Sequence, residues 1–91
     1  MRQIVLSKQA QKFLKKLPAK QARQIAGAVM SLKTDPQPQD SKQLRGVLLW
    51  RIDTGEYRAV YDFDKKQVTV YIIGKRNDDA VYRLLQRKLK G

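Results

Sequence analysis

Ninety-one residues, 42% hydrophobic, with 20 Lys+Arg against 8 Asp+Glu, describe one small domain of formal net charge +12. With no cysteine and no histidine, disulfide staples, thiolate or imidazole zinc sites and any hydrolytic triad needing an imidazole base are excluded. The acids are scattered and none precedes Asp35, whereas eight basic residues do (Arg2, Lys8, Lys12, Lys15, Lys16, Lys20, Arg23 and Lys33). The chain is therefore expected to attract polyanions in a salt-dependent way and to use no metal or cofactor.

Arg2 to Leu6 is a short apolar run with polar flanks, suited to an edge strand. It is too short for a signal-peptide core, and no segment approaches the ~20 apolar residues that span a bilayer, so a cytoplasmic protein is expected. Ser7 suits the N-cap of a helix from Lys8 to Leu17. There Ala10, Phe13, Leu14 and Leu17 recur at helical spacing, and Lys8, Lys12, Lys15 and Lys16 fall on the other side. Pro18 ends that helix and opens a second, running to about Lys33 with Ala22, Ile25, Ala26, Val29 and Leu32 on one face. So short a link makes the two helices an antiparallel hairpin.

Thr34 to Asp40 is a loop rich in proline and helix-stopping polar residues. Strands are expected over Val47 to Ile52, Tyr57 to Phe63 and Val68 to Ile73. Asp53-Thr54-Gly55 and Asp64-Lys65-Lys66 supply the turns between them. Alternation places Tyr57, Ala59, Tyr61 and Phe63 on one face of the middle strand and Arg58, Val60 and Asp62 on the other, unless a bulge intervenes. A last helix covers about Asp78 to Leu89, capped by Asn77 or Asp78, with Val81, Leu84, Leu85 and Leu89 as its apolar stripe. The order β-α-α-β-β-β-α makes residues 1–91 a single α+β domain: a helical hairpin on a small, mostly antiparallel sheet, with a C-terminal helix.

The second half concentrates the chemistry. Three strands each deliver an arginine (Arg51, Arg58 and Arg76), and Tyr82 follows the last within one or two helical turns. Guanidinium groups stay charged and fork onto phosphate oxygens, so this set suits holding and cutting a phosphodiester without metal or histidine. Each residue also has a structural reading. Arg58 is within reach of Asp62 or Glu56 for an ion pair, Arg76 of Asp78 or Asp79, and Tyr82 belongs equally to an amphipathic core.

The motifs Leu44-Arg45-Gly46, Glu56-Tyr57-Arg58-Ala59-Val60-Tyr61, Gly74-Lys75-Arg76 and Val81-Tyr82 together resemble the RelE branch of the RelE/ParE superfamily, toxins of type II toxin–antitoxin modules. The close resemblance spans residues 44 to 82; the hairpin before it matches in layout and basicity. It implies a ribosome-dependent endoribonuclease that cleaves mRNA in the A site. It further implies an antitoxin that wraps the toxin in a hetero-oligomer. The basic charge of this chain suits an antitoxin whose segment is acidic and folds on binding. Carried over by residue, Arg58 contacts the scissile phosphate, Arg76 stabilises charge or helps protonate the leaving group, and Tyr82 orients the nucleotide or takes part in proton transfer. Arg51 stands where the family often has lysine and keeps a phosphate contact.

One position departs from the family pattern. Two residues beyond Arg51 a basic residue is usual, and this chain has Asp53. Lys42, Arg45 or Lys75 are candidates to replace that charge in space, while Asp53 is either a weak proton acceptor or part of the hairpin turn. Two other readings remain open: a ParE-like toxin that binds DNA gyrase, and a non-catalytic ribosome- or RNA-binding module or decayed toxin.

Overall fold

The computed structural model describes residues 1–76 and 80–90. In chain order it contains β1 (Gln3–Leu6), α1 (Lys8–Lys16), α2 (Ala19–Ser31), β2 (Lys42–Gln43), β3 (Trp50–Thr54), β4 (Tyr57–Phe63), β5 (Gln67–Lys75) and α3 (Ala80–Lys90). Five strands form one sheet in the order β1-β5-β4-β3-β2. β1 runs parallel to β5 and the other neighbours are antiparallel. The α+β class and the hairpin-on-sheet layout match expectation. β2 is an addition, an edge strand of two polar residues that leaves no apolar signature. The expected cap at Asn77 or Asp78, and the side chains of Leu84 and Leu89, lie outside the described residues.

Ser7 caps α1 as expected and also anchors it. Its hydroxyl accepts from the Ala10 N–H at 3.1 Å and donates to the Tyr71 carbonyl at 2.6 Å, tying the helix start to β5. Gln9 adds a second tie, giving and taking one hydrogen bond each with the Ile73 backbone at 2.9 Å. Pro18, in extended conformation, separates α1 from α2. The hairpin lays Ala10, Ile25, Val29 and Leu32 against Ile52, Ala59, Tyr61, Val68, Val70 and Ile73 of the sheet. Ala26, expected on this face, is exposed, and Ala28 packs there instead. The stripe is thus Ile25, Ala28, Val29 and Leu32, the i, i+3, i+4, i+7 set of an amphipathic helix.

The opposite face of the sheet carries a second, smaller core of Leu49, Val60, Ile72, Val81 and Leu85, by which α3 is attached. β4 alternates between the two cores as expected. The irregularity falls in β5: Val60 pairs with Ile72 and Tyr61 with Val70, which leaves Tyr71 as the extra residue of a bulge. The Asp64 turn is as expected, its carboxylate accepting the Lys66 and Gln67 N–H groups at 2.7 and 2.9 Å. The other turn is shifted. Thr54 pairs with Tyr57, so the turn is Gly55-Glu56 alone, with Gly55 at φ +58. A two-residue hairpin needs a left-handed residue there, and glycine supplies it. Asp53 therefore belongs to β3 and not to the turn, a correction that decides the site.

Gly74, buried on β5, is where Val81 of α3 packs against the strand backbone. A Cβ built there would lie 2.7 Å from Val81 Cγ2. Gly74→Ala is expected to lose about 1–3 kcal/mol, the usual cost of overpacking. Urea denaturation measures it directly, and an unchanged midpoint would show that α3 is not seated this tightly.

Candidate active site

Strand register decides which charged side chains meet. Lys42 stands opposite Arg51, and Arg51 opposite Val60. One row further along, Asp53 stands opposite Arg58, and Arg58 opposite Gly74. Directly paired residues share a face. Lys42, Arg51, Asp53 and Arg58 therefore all project on the α3 side, where Val60 joins the smaller core. Gly74 contributes no side chain in that row, and Val81 fills the space against its backbone. The next residue of α3, Tyr82, is thereby brought over Arg58. Arg58 Nη1 donates to the Tyr82 hydroxyl at 2.5 Å, with the guanidinium 5.7 Å from the ring centroid.

Asp53 occupies the other side of Arg58. Arg58 Nε donates to Oδ1 at 2.7 Å and Nη2 to Oδ2 at 3.2 Å, a bidentate fork. Oδ2 also accepts from Arg51 Nη1 at 3.1 Å. The Arg58 side chain is 13% exposed, against 27% for Asp53 and 22% for Arg51, so the pair sits at the edge of solvent with the guanidinium as its inner member. Hydrogen bonding from Arg58 holds the Asp53 carboxyl below the usual aspartate range, helped by both arginine charges and opposed by burial. The same hydrogen bond pushes Arg58 further up. The alternative pairings of Arg58 with Asp62 or Glu56 do not form; Asp62 instead accepts the Tyr71 hydroxyl at 2.8 Å. Burial, with that hydrogen bond in second place, pushes the Tyr71 phenol up to about 12.

Beside this cluster lies a groove of about 500 Å³. Lys42, Arg45, Arg51 and Tyr82 give it a basic and aromatic wall, and Leu44, Val47 and Leu85 an apolar one. Four of the residues singled out in the sequence thus converge on one opening. Arg58 does not line it; it lies behind Tyr82, Asp53 and Arg51.

Two expected members are elsewhere. Lys75 pairs with Tyr57, whose ring packs on the hairpin side against Phe13, so Lys75 leaves the sheet on the face away from the groove. It cannot replace the missing basic charge at position 53. Arg76 is exposed in the turn after β5, its backbone N–H donating to the Glu56 carbonyl at 2.9 Å. Among the described residues no side-chain hydrogen bond or ion pair joins it to Arg58 or Tyr82. The pairing with Asp78 or Asp79 lies outside the described residues. Among the described residues, no group of three or more Asp or Glu side chains is placed to hold a metal ion, and no helix is long and apolar enough to cross a membrane.

The sequence from residue 4 to residue 80 matches the model of the ParE toxin of type II toxin–antitoxin systems. The chain belongs to that family, within the RelE/ParE superfamily. Among solved structures it is similar to a mutant Escherichia coli toxin RelE in the free state, with TM-score 0.77, 23% identity and 97% of each chain covered. It is also similar to the intact E. coli RelBE toxin–antitoxin complex, with TM-score 0.71 and 26% identity over 82% of this chain and 96% of that one. The archaeal RelE–RelB complex from Pyrococcus horikoshii gives TM-score 0.71 and 25% identity over 82% and 94%. No curated protein sequence matches.

In this toxin the ionised Asp53 adds stability that is complete above the unfolded aspartate value of ~3.9 and is lost as pH falls through its lower folded value. Asp53→Asn is expected to be less stable than the parent at neutral pH, the gap closing below about pH 4 as the parent's own carboxylate is protonated. Urea titrations at several pH values test this; a gap independent of pH would mean that the Asp53 charge contributes nothing.

Proposed function

We propose that this toxin is a RelE-type endoribonuclease that cleaves mRNA in the ribosomal A site and so arrests translation. The observation that carries this reading is the Arg58–Tyr82 contact at the wall of a basic groove. A flexible polyanion is drawn in by the excess of positive charge, and Lys42, Arg45 and Arg51 line its path along the groove. Tyr82 offers a ring on which an unstacked base can lie, the usual way single-stranded RNA is gripped.

Cleavage needs no metal. The 2′-hydroxyl gives its proton to water as its oxygen attacks the adjacent phosphorus, and the bond to the 5′-oxygen breaks as that oxygen takes a proton from water, leaving a 2′,3′-cyclic phosphate and a 5′-hydroxyl. Charge gathers on the phosphate oxygens during this step, and Arg58 is the guanidinium held at the sheet to receive it. Arg76, in the turn beyond β5, takes the role of stabilising the leaving oxygen. Asp53, held ionised by its arginine, is a poor proton acceptor for a 2′-hydroxyl. An acidic antitoxin segment that folds over the groove restrains the toxin in a cytoplasmic complex, in keeping with the toxin–antitoxin complexes among its structural neighbours.

The family model itself favours a second reading, inhibition of DNA gyrase, because it describes a ParE toxin. Translation in a cell-free extract, with primer extension on the mRNA, separates the two. Discrete A-site cleavage that disappears when ribosomes are omitted is expected, with Arg58→Ala reducing it about 100-fold or more, as for loss of one transition-state donor. Intact mRNA together with blocked gyrase supercoiling would transfer the toxin to the ParE mode of action.

A further inference from the structure

We infer that Asp53 is a positioning residue that stands in for a phosphate: it occupies the fork of Arg58 until RNA displaces it, and so sets how tightly the toxin grips RNA. This rests on the RNA reading above. A guanidinium presents five N–H donors. In this toxin Nε and Nη2 are taken by the two Asp53 oxygens and one Nη1 hydrogen by Tyr82. The Nε–Nη2 edge is one of the planar forks by which arginine binds phosphate bidentately, and a carboxylate fills it in the same geometry.

Asp53 reaches past Arg58. Its Oδ2 also accepts from Arg51, the one arginine of this cluster that lines the groove, while Arg58 stays behind. One carboxylate thus draws two guanidinium groups together and leaves the cluster of Arg51, Arg58 and Asp53 with a single net positive charge. An RNA strand entering between Lys42, Arg45 and Arg51 first meets a partly neutralised wall. Its phosphate gains the Arg58 fork only by taking the place of the Asp53 carboxylate. Register built this arrangement: Asp53 stands directly across from Arg58, and the two-residue Gly55-Glu56 turn keeps it there.

The test is binding without cleavage, using a single-stranded 2′-O-methyl RNA dodecamer and the folded full-length toxin. Fluorescence anisotropy over a salt series compares the parent with Asp53→Asn, Asp53→Ala, Arg58→Ala and the double variant Asp53→Asn with Arg58→Ala. Asp53→Asn and Asp53→Ala are expected to tighten binding about 10-fold at every salt concentration, because the RNA phosphate then enters the Arg58 fork without displacing a carboxylate. In the Arg58→Ala background the gain from Asp53→Asn is expected to vanish, because no fork remains to be released. Thermal melting of each variant confirms that folded protein is being compared.

Binding by the parent that neither Asp53 variant tightens would overturn the role of Asp53 and leave the RNA reading standing. A gain that persists without Arg58 would overturn it too, since removal of one negative charge anywhere near the groove would then suffice. Failure of every form, parent included, to bind the dodecamer would overturn the RNA reading and the inference with it.

Discussion

A guanidinium on the central strand of a sheet covered on both faces is the constraint around which this structure is arranged. β4 has β5 on one side and β3 on the other, with the helical hairpin below and α3 above. Arginine cannot escape desolvation by losing its proton, so a partly buried one persists only where a carboxylate and further hydrogen bonds satisfy it. Asp53 and Tyr82 supply them, one from the neighbouring strand and one from the covering helix. The same contacts fix where α3 sits along the sheet, and Gly74 is the space that lets it sit there. Removing Asp53 would leave the Arg58 charge without its carboxylate, and removing Tyr82 would leave an Nη1 donor without its acceptor, which is why the cluster ties β3, β4 and α3 into one unit.

The two faces of the sheet divide the work. The hairpin side holds the larger core and is reinforced by hydrogen bonds from Ser7 and Gln9 to β5, so the strand that ends near Arg76 is anchored from below. The α3 side has the smaller core, and its apolar residues Leu44, Val47 and Leu85 run out into the groove. For the proposed RNA ligand, one greasy wall and one basic wall match the bases and phosphates of a single strand, because a nucleotide is itself amphipathic.

Much of this was legible in the sequence. The hairpin followed from the 3.6-residue spacing of Ala10, Phe13, Leu14 and Leu17 and from Pro18. The faces of β4 followed from simple alternation, which held because the bulge fell on β5 at Tyr71. Lys42, Arg45, Arg51 and Tyr82 were singled out and do converge. What escaped was register. Asp53-Thr54-Gly55 reads as a turn by composition, yet backbone pairing of Thr54 with Tyr57 carries the strand two residues further and turns Asp53 toward Arg58. The alternation Arg51, Asp53 already placed both on one face; only the length of the turn decided what stood opposite. Lys75 failed for the complementary reason, since its pairing with Tyr57 sends it to the other face, and nothing in its own sequence context says so. Ala26 reads as part of the α2 stripe because it adjoins Ile25, yet it is Ala28, about 200° further round the helix, that packs on the sheet.

Fold alone does not choose between the two branches of the superfamily, because both are built on it. The choice rests on what the α3 face of the sheet is made of. A surface that only docks against another protein gains affinity from exposed aromatic and arginine anchors, and these need not be withdrawn from water beforehand. Here the inner arginine is withdrawn, forked by a carboxylate and capped by a phenol, at the back of a groove whose rim is lysine and arginine. Keeping a charge in such a place costs desolvation and gives a docking surface nothing in return. It suits a group that must meet negative charge developing at one point in space, where a preorganised, poorly solvated guanidinium acts most strongly. Under the RNA-cutting function proposed above, the Asp53 fork and the cleavage site belong together, because the carboxylate that fits Arg58 would mark the place of a phosphate.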